Sequence, residues 1–385
     1  MKAKPSPAAL PSWAIPLLQY LALCLLVAPL AHPTIFHVDQ NAVAFSTGDA
    51  IAIKQGYLET PHLWHDGLRW WTGPWINQSA PYWRPLISYC HWGQLWLGLN
   101  HGWVAVMIVD VLLFASTCAA FGLFVNEWTG NRTLGGLGAF LACFAGSKFV
   151  SPPIHYTDAL NWWVEIDNFV CLTPGFGALT LFYRSDKTGS KPALAWALVL
   201  MLVSCLAKEW GFILPLMFLT IALYNSRPEY TRRLVAFSLV ACLLVGAVAA
   251  YRRSVVPGAL GAMPHPEVAL NLLTGFAHTL TTAPGQVFSF LGNHLLDILT
   301  QLLYVFVFAG LIRVSTMHFL DRKLLCTFLL FLLALLPLNG LYLWSHRIYF
   351  PWIFGTLVLC TVLSQWQNRS GREPGKSPIQ DAPQA

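Results

Sequence analysis

The sequence predicts an all-α polytopic membrane protein of about ten transmembrane helices, with interfacial helices in the first outer loop. Three observations carry this prediction. Hydrophobic residues make up 56% of the 385 residues and charged residues 10%, whereas a soluble domain carries roughly 25% charged residues. Mean hydropathy is +0.55. Apolar runs close to span length recur along the chain, separated mostly by short polar loops.

A basic, proline-rich start with Lys2 and Lys4 leads into the apolar residues 12–31. A run of this length meets the ~20 residues that cross a hydrocarbon core. No small-x-small cleavage site precedes His32 and further spans follow, so the run reads as an uncleaved first helix. Residues 32–83 form a long polar segment holding Asp39, Asp49, Glu59, Asp66 and Arg69, interleaved with Trp64, Trp70, Trp71, Trp75 and Trp83. Residues 84–99 are aromatic and short of a full span, and read as a helix dipping into the interface.

Second and third spans are expected over 103–125 and 134–150. Between the third and the fourth (169–183) lies the stretch 151–168, SPPIHYTDALNWWVEIDN. It sets His155, Asp158, Glu165 and Asp167 beside Trp162 and Trp163. Three carboxylates at the mouth of a membrane helix are costly unless they face water, a cation or a substrate. The fifth and sixth spans, 192–207 and 210–224, pinch Lys208 and Glu209 between them. A seventh covers 234–250, and a mixed outer region rich in Pro, Gly and Thr covers 251–293. The remaining spans fall over 294–312, 324–341 and 348–366. Residues 1–366 read as one domain and 367–385 as a disordered cytoplasmic tail.

Alternating the spans from a cytoplasmic N-terminus places 15 of the 23 Lys and Arg residues in cytoplasmic loops, as the positive-inside tendency expects. Both termini are then cytoplasmic, and a bacterial inner membrane is the expected location. The same alternation gathers Asp39, Asp49, Arg84, Asp158, Lys208, Glu209 and Arg347 on the outer face. The net charge of +6 sits in short loops as orientation signals, which argues against a nucleic-acid partner. Eight of the nine cysteines fall in apolar runs without metal-ligand spacing, and read as small packing residues. No metal site and no cofactor are expected.

The outer-face residues resemble motifs of GT-C-type glycosyltransferases, the polytopic enzymes that use polyprenyl-phosphate sugars. The likeness is to the protein mannosyltransferases and their tetratricopeptide-bearing relatives. It rests on Asp39 shortly after the first helix, on Tyr82-Trp83-Arg84-Pro85-Leu86 followed by Gly98-Leu99-Asn100, and on Pro153-Ile154-His155 with Asp158 and Trp162. It continues with Ala207-Lys208-Glu209 running into Pro215, and with His346-Arg347-Ile348-Tyr349-Phe350-Pro351. Ile348 stands where an aromatic residue is commoner, and the Asp158 segment carries one extra residue. The tetratricopeptide repeats have no counterpart here, so the resemblance names no acceptor among protein, lipid and glycan.

The resemblance implies transfer of a monosaccharide from a polyprenyl-phosphate carrier to an acceptor hydroxyl. Such a transfer needs a carboxylate to take the acceptor's proton and cations to hold the departing phosphate. Asp39 is the implied base, Asp158 the second candidate and Asp49 the fallback. Arg84 and Arg347 are the implied phosphate ligands, with His155, Trp162, Lys208, Glu209 and Tyr349 completing the substrate-binding set. Against this stand plainer readings: Lys208 and Glu209 as an ion pair that satisfies itself at the turn, Arg252 and Arg253 as helix flanks or lipid-phosphate contacts, and the tryptophans as an interfacial belt. Asp110, inside the second span, is either a functional acid or a hydrogen-bonding partner of a neighbouring helix. A transporter or flippase of lipid-linked glycans, or an inactive relative, are the alternatives to the enzyme.

Overall fold

The computed structural model describes residues 11–32, 48–77, 82–145, 163, 166–256, 322–335 and 345–370, with the backbone alone at 48–49, 335, 345–352 and 369–370. Among the described residues there are helices and no strands. The helices in chain order are α1 (Ala14–Ala31), α2 (Gly48–Leu58), α3 (Leu63–Asp66), α4 (Arg69–Thr72), α5 (Pro85–His101), α6 (Trp103–Thr129) and α7 (Arg132–Ala142). They continue as α8 (Ile166–Thr188), α9 (Lys191–Ala207), a 3-10 turn (Glu209–Ile213), α10 (Leu214–Tyr224), α11 (Pro228–Val255), α12 (Arg322–Leu335) and α13 (Ser345–Ser370). Of these, α1, α6 and α11 are long and apolar enough to cross a membrane; α9 and the Glu209–Tyr224 stretch are apolar but shorter.

Among the described residues three helices, not about ten, are long and apolar enough to cross, and helix ends differ from the hydrophobic runs: the third span, expected over 134–150, is helical only to Ala142. The hydrophobic run of the second span ends at residue 125, yet α6 continues through Asn126 and Glu127 to Thr129. The fourth was read over 169–183, yet α8 begins at Ile166 and runs through Arg184, Asp186 and Lys187. The backbone does not sense the apolar boundary; it stops where a cap stops it. Gly130 takes φ 75° and Gly189 takes φ 72°, the left-handed conformation that closes a helix and suits glycine. Asn131 then starts α7 by accepting from the Thr133 and Leu134 amides at 2.9 and 3.2 Å, and Ser190 caps α9 through Ala193. The expected eighth span, 294–312, lies outside the described residues.

Helix α8 is central, packed against α6 on one side and α9 on the other, while α1 and α7 flank α6. Close approach of α1, α6 and α7 depends on glycine. A Cβ on Gly122 would lie 2.7 Å from the Ala139 Cβ, and one on Gly138 would lie 2.9 Å from Val125. Small residues let membrane helices meet backbone to backbone. Tyr20 on α1 donates its hydroxyl to the Arg132 carbonyl at 2.9 Å across this seam. Helices α12 and α13 return to α6 and α7: the Trp128 indole donates to Thr327 at 3.0 Å, and the Asn131 amide to Gln367 at 2.9 Å.

The two ends of this bundle differ chemically. One end carries Arg132, Arg184, Lys187, Lys191, Arg227, Arg232, Arg233, Arg322 and Lys323 at the helix termini. There Glu127 accepts from Arg184 at 2.6 Å and, through its carbonyl, from Lys187 at 2.5 Å. The other end carries Arg84, Asp167, Lys208, Glu209 and Arg252. Between Asp167 and Arg184, α8 advances about 26 Å at 1.5 Å per residue, close to the roughly 30 Å of a hydrocarbon core.

The segment 84–99, read as an interfacial helix, forms the 17-residue α5 with a buried face of Ile87, Ser88, His91, Gln94, Leu95 and Gly98. It packs on α6, α8 and α9. The short helices α2 to α4 fold over it. Trp70 is buried edge-on against Tyr89 at 5.0 Å, Trp92 donates to the Thr60 carbonyl at 2.9 Å, and the Ile76 amide donates to the Ser88 hydroxyl at 2.9 Å.

Candidate functional site

The site is assembled from the termini of four separate elements. Arg84 precedes Pro85, which fits the first position of a helix because proline lacks an amide hydrogen to satisfy there. Its side chain reaches Glu209 and Asp167 at the end of the bundle. Asp167 lies in the first turn of α8, where a carboxylate is favoured by the helix dipole. Lys208 is extended, with φ −153° and ψ 157°, and breaks the chain between α9 and the 3-10 turn that begins at Glu209. Arg252 lies in the last turn of α11, the favourable end for a cation.

Arg84 donates from Nε and Nη2 to the two oxygens of Glu209, at 3.1 and 2.6 Å, and from Nη1 to Asp167 at 2.9 Å. Its guanidinium also lies 4.3 Å from the Tyr82 ring centre and 5.0 Å from that of Trp75. Lys208 donates to Asp167 at 3.0 Å and to the Asn168 side chain, 4.7 Å from the Trp210 ring. Arg252, 2% exposed, reaches Glu209 at 2.8 Å. Carrying charges out of water costs several kcal/mol each, recovered only when geometry and hydrogen bonding are good. Here a bidentate pair and four further contacts supply it.

The electrostatics follow from this packing. Burial by itself raises the Glu209 carboxyl, but the adjacent Arg84 and Arg252 charges outweigh it and hold the group down at about 2. Burial disfavours the Arg84 cation, and the carboxylates of Glu209 and Asp167 more than reverse this, so its charge is held more firmly than usual. Among the described residues, three cations and two carboxylates give the cluster one net positive charge.

The structure thus brings together Arg84, Lys208 and Glu209 from the predicted set. It does not pair Lys208 with Glu209 as the self-satisfied turn would require: each bonds to residues on other elements. The backbone of Arg347 and Tyr349 lies in the first turns of α13. That helix runs from the Arg84 end, through a Phe354–Phe176 ring contact at 6.0 Å, to Gln367 at the basic end. Asp39, His155, Asp158 and Trp162 lie outside the described residues. Two members were not singled out as site residues by sequence. Asp167 is one of three acids in its segment, and Arg252 reads from the sequence as a helix flank before it reads as a lipid-phosphate contact. The signal for both was position, since each sits within a turn of a helix end on the same predicted face.

Asp110 proves to be a hydrogen-bonding partner. Gln94 on α5 donates to its carboxyl at 2.8 Å, and both side chains are buried.

Fold and site together define a helical membrane protein with a buried ion-pair cluster at one end of its bundle. No protein-family model matches the chain, and neither the curated proteins nor the solved structures contain a match.

Proposed function

We propose that this chain is a membrane glycosyltransferase that moves a monosaccharide from a polyprenyl-phosphate carrier to an acceptor hydroxyl at its outer face. The observation that carries the reading is the meeting of Arg84 with Glu209 and, through Asp167, with Lys208. These belong to two motifs 125 residues apart, each matched to the same family on local pattern alone. The backbone of a third motif, around Arg347, enters from the same end. The described residues that flank the segments of Asp39 and Asp158 in the chain are His32 on one side and Trp163 and Ile166 on the other. His32, at the end of α1, hydrogen-bonds the Cys143 carbonyl at 2.9 Å, and Trp163 and Ile166 follow the second segment.

In this reading the basic end faces the cytoplasm, about ten helices cross the bilayer, and the membrane is a bacterial inner membrane. The guanidinium of Arg84 is engaged by two carboxylates and two rings. It frames the site, and reaches a phosphate only by exchanging Asp167 or Glu209. Arg347 takes the phosphate role directly. The net positive charge of the cluster favours an anionic headgroup at this end. Asp39 or Asp158 takes the acceptor proton.

The test is transfer of radiolabelled sugar from polyprenyl-phosphate donors in membranes, comparing wild type with Asp39→Asn and Asp158→Asn at matched expression. Loss of transfer in either variant, by 10²-fold or more for removal of a general base, supports the reading. Full activity in both removes these bases, and no transfer by wild type with any donor removes the enzyme.

A further inference from the structure

A second polar constellation lies beside the ion cluster and is not used by the transfer chemistry. The helices α5 and α6 form a hairpin around Gly102, whose φ of 85° suits the tight reversal. Gln94 stands eight residues before Gly102 and Asp110 eight after. At 1.5 Å per residue each is about 12 Å from the turn, so the hairpin sets them at one level.

Gln94 Nε2 donates to Asp110 Oδ1 at 2.8 Å and to the Trp163 carbonyl at 3.1 Å. The Trp163 carbonyl can only accept, which fixes the orientation of the amide: its nitrogen faces Trp163 and its oxygen faces the other way. That oxygen meets His91 Nδ1 at 3.0 Å. Because an amide oxygen cannot donate, His91 carries its proton on Nδ1. The imidazole in turn stands edge-on to the Trp163 ring, 5.6 Å away at 88°, and Trp103 lies against the same indole at 5.9 Å. His91, Gln94, Asp110 and Trp163 are all buried.

Trp163 stands five residues after Asp158 and four before Asp167. We infer that Gln94 is a positioning residue: oriented by Asp110, its amide clamps the Trp163 backbone four residues before Asp167, and so fixes the approach to α8 and to the carboxylate that Arg84 and Lys208 share. The role in transfer rests on the glycosyltransferase reading; the clamp itself does not.

Hydrogen exchange read by mass spectrometry on the full chain in nanodiscs tests the clamp. Gln94→Leu and Asp110→Leu are expected to speed exchange about tenfold in peptides covering 163–168. Asp110→Asn, which keeps an acceptor oxygen for Gln94, is expected to stay within twofold of wild type. Unchanged exchange in Gln94→Leu, or Asp110→Asn behaving as Asp110→Leu, overturns the inference. Should Gln94→Leu not accumulate, the two Asp110 variants decide alone. In the transfer assay, Gln94→Leu is expected to lower kcat about tenfold with the donor KM within twofold, and Asp110→Asn to retain kcat. A wild type without transfer counts against the enzyme reading, while the exchange measurement still decides the clamp.

Discussion

Arg84 and Glu209, 125 residues apart, form a two-bond fork in which Nε and Nη2 each meet one carboxylate oxygen, at 3.1 and 2.6 Å. The third nitrogen of the same guanidinium, Nη1, donates to Asp167 at 2.9 Å. One planar group thereby fastens the start of α5, the start of α8 and the turn after α9.

Removing that group leaves the buried Asp167 and the partly exposed Glu209 short of their cation. Arg84→Ala is expected to cost about 3–5 kcal/mol, measured as a fall in the thermal midpoint of the purified protein in detergent. Arg84→Lys keeps the charge but offers a point ammonium in place of a fork. It is expected to recover less than half of the loss. Full recovery by lysine would show that charge alone, without the geometry, holds the three elements.

The Glu209 carboxyl predicts a specific pH dependence. Its folded value, about 2, lies below the ordinary 4.5. Its contribution is therefore complete above about 4.5 and is lost as pH falls toward 2. Glu209→Gln is expected to be the less stable protein at pH 7, because Arg84 and Arg252 lose their shared anion. The gap to wild type should narrow as pH drops below about 4.5. Thermal midpoints of both proteins between pH 7 and pH 3 check this, and a constant gap would contradict it.

The glycine seam gives a prediction free of charge. A Cβ on Gly135 would collide with the Tyr20 hydroxyl, lie 2.8 Å from the Asn126 Cβ and 2.9 Å from the Gly122 carbonyl. Two of these neighbours are held in place by the helices. Gly135→Ala is expected to destabilise by about 1–3 kcal/mol and to break the Tyr20–Arg132 hydrogen bond. Gly136→Ala, next door, meets only the Tyr20 ring at 3.7 Å and should be near neutral. Paired melting curves distinguish the two.

How much of this was legible beforehand depends on the range of each interaction. Arg84 stood out because Tyr82-Trp83-Arg84-Pro85-Leu86 resembles a family motif; Lys208 and Glu209 stood out because they lie in a second such motif, where two charges interrupt an apolar run. Those are local signals. That Lys208 turns to Asp167 and Glu209 to Arg84 depends on packing across 41 and 125 residues, which no local pattern encodes. Gln94 was invisible for the same reason, since its equal spacing with Asp110 acquires meaning only once Gly102 is known to reverse the chain. Helix ends were misjudged where apolar runs were read as whole helices, because Gly130, Asn131, Gly189 and Ser190 set the limits instead.

The two ends of the bundle also mature at different times during synthesis. The last member of the ion cluster to leave the ribosome is Arg252, whereas Trp128 waits for Thr327, 199 residues later in the chain. At about 5–20 residues per second that wait is about 10–40 s. Over that interval the Trp128 indole and the Asn131 amide stand at the basic end without the partners they later find, and need water, headgroups or the insertion machinery as substitutes. Assembly is thus directional: the ion cluster is complete once α11 has emerged, while the contacts of Trp128 and Asn131 at the basic end, like the Arg347 turn at the mouth, wait for α12 and α13.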